Sequence, residues 1–401
     1  MTNLQRLFWG ESSATPSGPL SWPLLAVLAI VSSLTVTTIF LPRELGYVLT
    51  AGTLALVSVY GVLAATVLDT DLSLRIDAPF VVLLGGYWLG LVAHFYYAPH
   101  TELLEYIVVT PLAVGATVVV LPALIDGRRQ AFTMALTLVA VALAVIGFVM
   151  LWQELQTSEE LYERVGGSVM GIEGVSTGSI FHSTNTHGFA MMVGSLAALY
   201  TYLSRRGAVW LGALAICLLG FLSAEGDAAF VGFTAGLVLV LSGFDRRFGF
   251  LGIGLAVLGV YLAIRLGHVG EVMETTLLGS GNRVDRWVAS LERLAQDPLL
   301  GIGFADTAEE IGESRGPHNS YIYPLLNVGL IAGGLYLGAL VYALGKGIRT
   351  RWTPWTGFVV GTAVSILLYM VFESHFLGGL SVSSVLLGLF LGLLLYLPDG
   401  A

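Results

Sequence analysis

Long apolar segments alternate with short polar connections along the chain. A helix needs about 20 apolar residues to cross a bilayer, because the hydrocarbon core is roughly 30 Å thick. About twelve segments reach this length, and they cover 22–41, 46–68, 78–98, 103–125, 131–152, 185–203, 207–223, 227–243, 248–266, 319–345, 355–374 and 380–397. The pattern predicts an all-α integral membrane protein, a polytopic bundle of about twelve transmembrane helices.

The polar segments suggest one helical domain with a tail and two longer loops. Residues 1–21 are polar and lack the cleavage pattern of a signal peptide, so we expect a cytoplasmic N-terminal tail. Residues 22–401 form a single transmembrane domain, interrupted at about 153–184 and 267–318. We expect the first loop to begin as a helical extension and to continue as an irregular Gly/Ser-rich segment.

Composition supports the membrane assignment and narrows the possible partners. The chain is 56% hydrophobic and only 11% charged, whereas soluble domains carry about 25% charged residues. Its single cysteine, Cys217, rules out a disulfide framework and a set of thiolate metal ligands. The net charge of −9 and the absence of a basic stripe argue against a nucleic-acid partner.

Basic residues in alternate short connections predict the orientation in the membrane, because short cytoplasmic loops are enriched in Lys and Arg. With a cytoplasmic N-terminus, the cytoplasmic connections hold Arg75, Arg128, Arg129, Arg205, Arg206, Arg246, Arg247, Lys346, Arg349 and Arg351, and the short external ones hold only Arg43. We therefore predict a multi-pass protein of the plasma membrane with both termini inside. All seven histidines then lie at or near the external face, which favours chemistry there.

The densest polar chemistry lies in residues 280–337. An amphipathic helix is predicted before Pro298, with Arg286 and Arg293 on a solvated face and an opposite apolar face made of Val284, Trp287, Val288, Leu291, Leu294 and Ala295. Gly301 and Gly303 mark a turn. The apolar segment after Asn319 contains Pro324, Gly329, Gly333 and Gly334, which allow a kink.

This stretch resembles the O-antigen ligase and polymerase family. The resemblance is carried by Arg283 four residues before Trp287, by a Pro-Leu-Leu-Gly-Ile-Gly turn, and by His318-Asn319 opening a membrane helix. It is strongest over 280–337 and weakens back towards Phe181. It implies a membrane glycosyltransferase that moves a glycan from a polyprenyl-diphosphate carrier in the membrane lipids to a glycan, lipid or protein acceptor, with no cofactor and no required metal.

An inverting transfer needs a cation near the leaving phosphate and a base for the acceptor hydroxyl. His318 is the predicted base, since the positive end of a helix dipole favours neutral imidazole. Glu373 is predicted to hold one of its ring nitrogens. The predicted substrate-binding residues are Arg283, Arg286, Arg315, Asn319 and Asn185. A simpler alternative is that His318 and Asn319 only cap a helix and that Arg283 is solvated.

The chain departs from the family where a second arginine is expected. The family's Ser-Arg pair is replaced by Ser223-Ala224-Glu225-Gly226-Asp227. Arg164, Arg265 or Arg315 could substitute, a divalent cation could bridge, or the carrier could be a monophosphate. Loss of activity is a further alternative.

Other functions remain open from the sequence. A transporter or flippase for a lipid-linked glycan is the main alternative, although such proteins carry ionisable groups or broken helices near the midplane. A polymerase of the same family shares the scaffold with a ligase. The sugar, the acceptor and the oligomeric state are not determined by these patterns.

Overall fold

The computed structural model describes residues 21–68, 70–97, 99–157, 166–169, 172–175, 177–224, 226–250, 252–254, 283–303, 307–313 and 316–398. These residues are almost entirely helical. The helices up to the first long loop are α1 (Ser21–Leu34), α2 (Arg43–Thr66), α3 (Ala78–Tyr97), α4 (Thr101–Val114), α5 (Leu121–Asp126) and α6 (Arg129–Thr157). A 3₁₀ turn at Thr35–Thr37 follows α1, and a π-helical stretch at Gly115–Val120 joins α4 to α5. The later helices are α7 (Thr184–Arg205), α8 (Ala208–Leu222), α9 (Asp227–Phe244), α10 (Arg283–Gln296), α11 (Thr307–Glu310), α12 (Ile322–Ile348), α13 (Pro354–Tyr369) and α14 (Val382–Tyr396).

Each predicted apolar segment that falls within the described residues is helical. Within this part of the chain, five stretches are long and apolar enough to cross a membrane, namely Arg43–Thr66, Ala78–Tyr97, Leu103–Asp126, Arg129–Gln153 and Ile322–Ile348. Shorter apolar helices accompany them, including α13 and α14. Segment 248–266 lies largely outside the described residues. The prediction of an all-α membrane protein is confirmed at this level.

A short β-hairpin departs from the all-α prediction. Strand β1 (Gly166–Val169) pairs antiparallel with β2 (Ile172–Val175), with Val169 opposite Ile172. The predicted helical extension is confirmed, because α6 continues to Thr157. The segment after it was expected to be irregular. Its β-branched residues favour extended backbone, and only two residues separate the strands, which suits a hairpin.

Helices α9 and α13 approach closely because glycines line their contact. A Cβ atom on Gly357 would lie 2.7 Å from the Cα of Gly243, and one on Gly361 would lie 2.9 Å from the carbonyl oxygen of Gly236. Small residues allow membrane helices to gain van der Waals contact where no hydrophobic effect drives them together. Every residue of α14 is buried, so this helix lies in the centre of the core.

Basic residues gather at one end of the bundle, which we call the basic end. Lys346, near the end of α12, pairs with Asp77, just before α3, with Nζ 2.7 Å from Oδ2. Arg205, at the end of α7, donates to the side-chain oxygen of Gln130, at the start of α6, over 3.1 Å. Connections that the sequence predicts on the same side of the membrane therefore contact each other. The connection before α3 contacts the end of α12, and the start of α6 contacts the end of α7.

The described histidines lie at the opposite end, near the start of α7 and α12 and the end of α3 and α13. This end also carries the loop between α13 and α14. The histidines are His94, His100, His182, His187, His318 and His375.

Helix α12 is broken near its start, where a separate turn supplies its missing hydrogen bonds. Gly329 has φ 77° and ψ 176°, which interrupts the helix. Residues 298–303 fold against the break. The amides of Ile302 and Gly303 donate to the carbonyl oxygens of Leu326 and Asn327 over 2.8 and 2.9 Å, and the Leu330 amide donates to Pro298 over 2.8 Å. Backbone N–H and C=O groups of a membrane helix need hydrogen-bond partners within the protein, and the turn at residues 298–303 provides them.

We expect Gly329→Ala to lower the thermal unfolding midpoint of the purified protein by several degrees. A positive φ with an extended ψ is essentially restricted to glycine and disfavours any Cβ by about 1–3 kcal/mol, and the added atom would also collide with the Leu299 carbonyl oxygen. Gly334→Ala is the matched control. Gly334 lies on the exposed side of the same helix with nothing near its Cβ position. The thermal unfolding midpoint of Gly334→Ala should therefore equal or exceed that of the unaltered protein. Equal midpoints for the two variants would contradict this account of the break.

Candidate active site

The loop between α13 and α14 is fastened to the start of α12 by Ser320. The Ser320 amide donates to the Met370 carbonyl oxygen over 2.9 Å. Its hydroxyl donates to the Glu373 carbonyl oxygen over 2.5 Å and accepts from the His375 amide over 2.8 Å. Ser320 is fully buried. These three bonds fix the backbone on both sides of the Glu373 side chain.

Asn319 also joins the two segments. Its side-chain oxygen accepts from the amides of Tyr321 and Ile322 over 2.9 and 3.0 Å, and its amide nitrogen donates to the Val371 carbonyl oxygen over 2.9 Å. The capping alternative is therefore confirmed for Asn319. Because this buried side chain is used within the protein, the geometry does not favour its predicted role in substrate binding.

The Glu373 carboxylate contacts three other predicted site residues. Its Oε1 accepts from Asn185 Nδ2 over 2.7 Å and lies 3.5 Å from Arg283 Nη2. Its Oε2 lies 3.7 Å from His318 Nδ1. Only 12% of the Glu373 side chain is exposed, against 36% for His318. His318, the predicted base, therefore lies next to one oxygen of Glu373, and Arg283, the predicted phosphate ligand, lies next to the other.

His318 stands immediately before the residue that caps α12. Its φ is +47°, a left-handed conformation that costs energy for a residue with a Cβ and is common at functional sites. The Nδ1–Oε2 separation is longer than a hydrogen bond, and catalytic bonds often shorten when substrate binds. A carboxylate on Nδ1 leaves Nε2 as the ring atom that can accept a proton.

Arg283 and Asn185 reach the carboxylate from the first turns of two helices. Arg283 opens α10, and its guanidinium carbon lies 6.0 Å from the centre of the Phe372 ring. Asn185 lies in the first turn of α7, and its carbonyl oxygen accepts from the Tyr369 hydroxyl over 3.0 Å. Arg283 and Asn185 thus both contact residues at or next to the 370–381 loop, so their positions depend on that loop.

Arg286 does not occupy the solvated face predicted for it, and that prediction is wrong. Only 5% of Arg286 is exposed. Its Nη1 donates to the Gly316 carbonyl oxygen over 3.3 Å, and the neighbouring Trp287 Nε1 donates to the Pro317 carbonyl oxygen over 2.8 Å. These bonds hold the segment that precedes His318. Arg286 therefore positions the site in this structure, and a direct substrate contact stays a prediction.

The predicted apolar face of α10 is only partly buried. Leu294 of this face is buried, but Val284, Val288 and Leu291 are 39–48% exposed, and the other buried residues of the helix are Arg286 and Ser290. The predicted end of the helix is confirmed, since α10 stops two residues before Pro298. Periodicity alone therefore did not predict which residues of α10 pack on the protein.

His375 is a buried neutral group behind the site. Its Nδ1 lies 2.7 Å from the Ser383 hydroxyl, and its ring stacks on Tyr369 with centres 5.5 Å apart and an interplanar angle of 9°. Burial lowers the pKa of His375 to about 4, against the opposing charge of Glu373. The sequence predicted neither this packing role of His375 nor the fastening role of Ser320. Their partners are distant in sequence, so no local signal reveals either.

Several predicted residues cannot be placed in the site. Arg315, Arg164, Arg265 and Glu225 lie outside the described residues. Asp227 begins α9. Within the described part of the chain, no group of three or more His, Cys, Asp or Glu side chains could hold a metal ion.

Replacing Glu373 tests its role as a shared acceptor. Glu373→Ala removes the acceptor from Asn185 and Arg283, and we expect a loss of about 1–3 kcal/mol in the free energy of unfolding. Glu373→Gln keeps an oxygen that can accept from Asn185, so the loss in free energy of unfolding should be smaller than for Glu373→Ala. Glu310→Gln breaks the Arg293–Glu310 pair, in which Glu310 is 37% exposed, and should change the melting midpoint little. Similar effects for Glu373→Ala and Glu310→Gln would contradict the shared contact.

Buried His375 predicts a loss of stability in acid. The unfolded chain binds a proton at this residue near pH 6.5, whereas the folded protein does so only near pH 4. The contribution of neutral His375 to the free energy of unfolding is complete above about pH 6.5. Below that pH it falls by roughly 1.4 kcal/mol per pH unit. We expect His375→Gln to flatten the fall in melting midpoint between pH 6.5 and 4.5. Exposed His100→Gln should leave that slope unchanged, and an unchanged slope in His375→Gln would refute the assignment.

Comparisons of the chain with protein-family models and with curated proteins give no significant match. Three residues from different parts of the chain, Arg283 in α10, Asn185 in α7 and His318 just before α12, converge on the Glu373 carboxylate at the end of the bundle that lies opposite the basic end.

Proposed function

We propose that this protein is a membrane glycosyltransferase that moves a glycan from a polyprenyl-phosphate or polyprenyl-diphosphate carrier to an acceptor hydroxyl. The observation that carries the proposal is the Glu373 carboxylate shared by His318 and Arg283. A base with an orienting carboxylate and a guanidinium beside it is the set of groups that an inverting transfer requires. The sequence resemblance to O-antigen ligases supports the same reaction.

His318 is the proposed general base. Glu373 facing Nδ1 stabilises the tautomer with its proton there, so Nε2 accepts the proton of the acceptor hydroxyl. The acceptor oxygen then attacks the anomeric carbon on the side opposite the phosphate. The bond from that carbon to the phosphate oxygen breaks, its electron pair stays on the phosphate, and the sugar configuration inverts.

Arg283 is the proposed ligand of the phosphate. A guanidinium binds phosphate oxygens in a bidentate manner and stabilises the charge that develops as the sugar–phosphate bond breaks. In the structure its Nη2 contacts Glu373 at 3.5 Å, longer than a charge-assisted hydrogen bond. This loose contact suits an arginine that turns towards an incoming anion and keeps Glu373 as its resting partner.

The proposed topology places this chemistry outside the cell. About twelve crossings with both termini in the cytoplasm would put the basic end inside, in accord with the enrichment of Lys and Arg in cytoplasmic loops. The site residues lie at the other end of the bundle. A plasma-membrane protein arranged in this way would meet its carrier in the outer leaflet, and a membrane lipid can reach the site laterally.

A transporter of lipid-linked glycans is the second candidate, and the broken helix favours it. Discontinuous helices are typical of transporter binding sites, and α12 is interrupted at Gly329. Asn327 beside the break is buried, and neither polar atom of its side chain has a partner among the described residues. The turn that fills the break argues against a gap open to substrate. A polymerase of the same family would differ from a ligase only in its acceptor.

Two substitutions test the transferase. We expect His318→Gln to lower glycan transfer by about 10²–10⁴-fold, the usual contribution of a general base, and Arg283→Gln to lower it strongly as well. Both should cause lipid-linked donor to accumulate in extracted lipids. The control is Arg293→Gln on the same helix, since Arg293 pairs with Asp297 and Glu310 away from Glu373. The amount of product that Arg293→Gln forms should equal the amount that the unaltered protein forms.

The same assay separates the alternatives. In liposomes that present the donor on the external side, a transferase forms product with a soluble acceptor, and a flippase only moves donor between leaflets. Unchanged product in both His318→Gln and Arg283→Gln would refute the proposed reaction. Products with repeated units of the donor glycan identify a polymerase.

A further inference from the structure

The basic end of the bundle contains a cavity, far from the candidate active site. It has a volume of about 930 Å³ and lies between the end of α9, the end of α12 and residues 349–352. Cavities of roughly 300–1,000 Å³ are the usual size for small-molecule sites in proteins. Nothing in the proposed transfer reaction uses this region.

Three arginines line the cavity, and we call them the arginine cluster: Arg246, Arg349 and Arg351. Two come from the connection between α12 and α13, and one follows α9. None of the three forms an ion pair with any carboxylate of the described residues. The adjacent Asp245 accepts from the Arg247 amide over 2.9 Å. All three are exposed, and three guanidinium groups that line one cavity give it a positive potential that attracts an anion.

The rest of the cavity wall is largely apolar. Val238 and Leu239 line it from α9, and Phe250, Ile253 and Ile348 are exposed at its rim. Trp352, also in the lining, donates through Nε1 to the Ser242 hydroxyl over 3.2 Å. Tryptophan with its polar edge bonded at the end of a membrane helix is typical of the bilayer interface. The cavity therefore joins a cationic region to an apolar one at the depth of lipid headgroups.

We propose that the arginine cluster binds the phosphate headgroup of an anionic glycerophospholipid, whose acyl chains lie against the apolar wall. Guanidinium groups bind phosphate through paired hydrogen bonds, and basic pockets between membrane helices on the cytoplasmic side are known to hold such headgroups. The apolar rim favours a lipid over a soluble anion, which would gain nothing from Phe250 or Ile348. The lipid comes from the leaflet at the basic end, opposite the candidate active site.

Lipid binding to the purified full chain tests this inference. Phosphatidylglycerol is titrated into detergent-solubilised protein and the bound lipids are counted by native mass spectrometry, with phosphatidylcholine as the uncharged comparison. Each lysine or arginine near an anionic headgroup contributes about five-fold in affinity. We expect Arg349→Gln/Arg351→Gln to weaken binding of one phosphatidylglycerol by about 30-fold. Phosphatidylcholine binding should not change.

The control has the same change of charge outside the cavity. Arg206→Gln/Arg247→Gln removes two exposed arginines of the basic end and should alter phosphatidylglycerol binding by less than about two-fold if the cavity, and not overall charge, holds the lipid. Equal weakening in the two double variants would overturn the proposal. Inorganic phosphate that displaces phosphatidylglycerol at a similar concentration would also overturn it, because the site would then bind a soluble anion.

Discussion

The bonds made by Ser320 and Asn319 hold the candidate site together. Two short polar side chains between His318 and α12 fasten the loop that follows α13, and they do so through backbone groups on either side of Glu373. Because these bonds are buried, breaking one would leave an unpaired polar group at a cost comparable to a lost hydrogen bond or more. The carboxylate that contacts His318 and Arg283 is placed by this junction.

The same physical constraint explains the broken helix. An apolar environment offers no water to unpaired backbone groups, so an interruption in a membrane helix must be satisfied from within the protein. The turn at 298–303 supplies these partners to α12 at Gly329. That turn directly continues α10, which carries Arg283. The break, the turn and the start of α10 therefore form one connected support, and the arginine reaches Glu373 because the turn is anchored.

Charge is divided between the two ends of the bundle. At one end a carboxylate is surrounded by an arginine, an asparagine and a histidine, and at the other several arginines line a cavity without a described carboxylate partner. Apolar helices separate these two groups of charged residues. The proposed transfer reaction and the proposed lipid site therefore draw on opposite ends of the bundle.

The amino-acid sequence by itself determined the helices, because runs of apolar residues long enough for a bilayer have few other stable structures. It also identified His318, Arg283, Asn185 and Glu373, partly through local spacing and partly through resemblance. It predicted a contact between Glu373 and His318, but not that Asn185 shares the same carboxylate or that Ser320 holds its backbone, since Asn185 and Glu373 are 188 residues apart and Ser320 and Glu373 are 53 apart. Only the tertiary structure decided which face of α10 is buried. Periodicity shows that a helix has two faces, but the choice between protein and lipid for the apolar one depends on what else packs there.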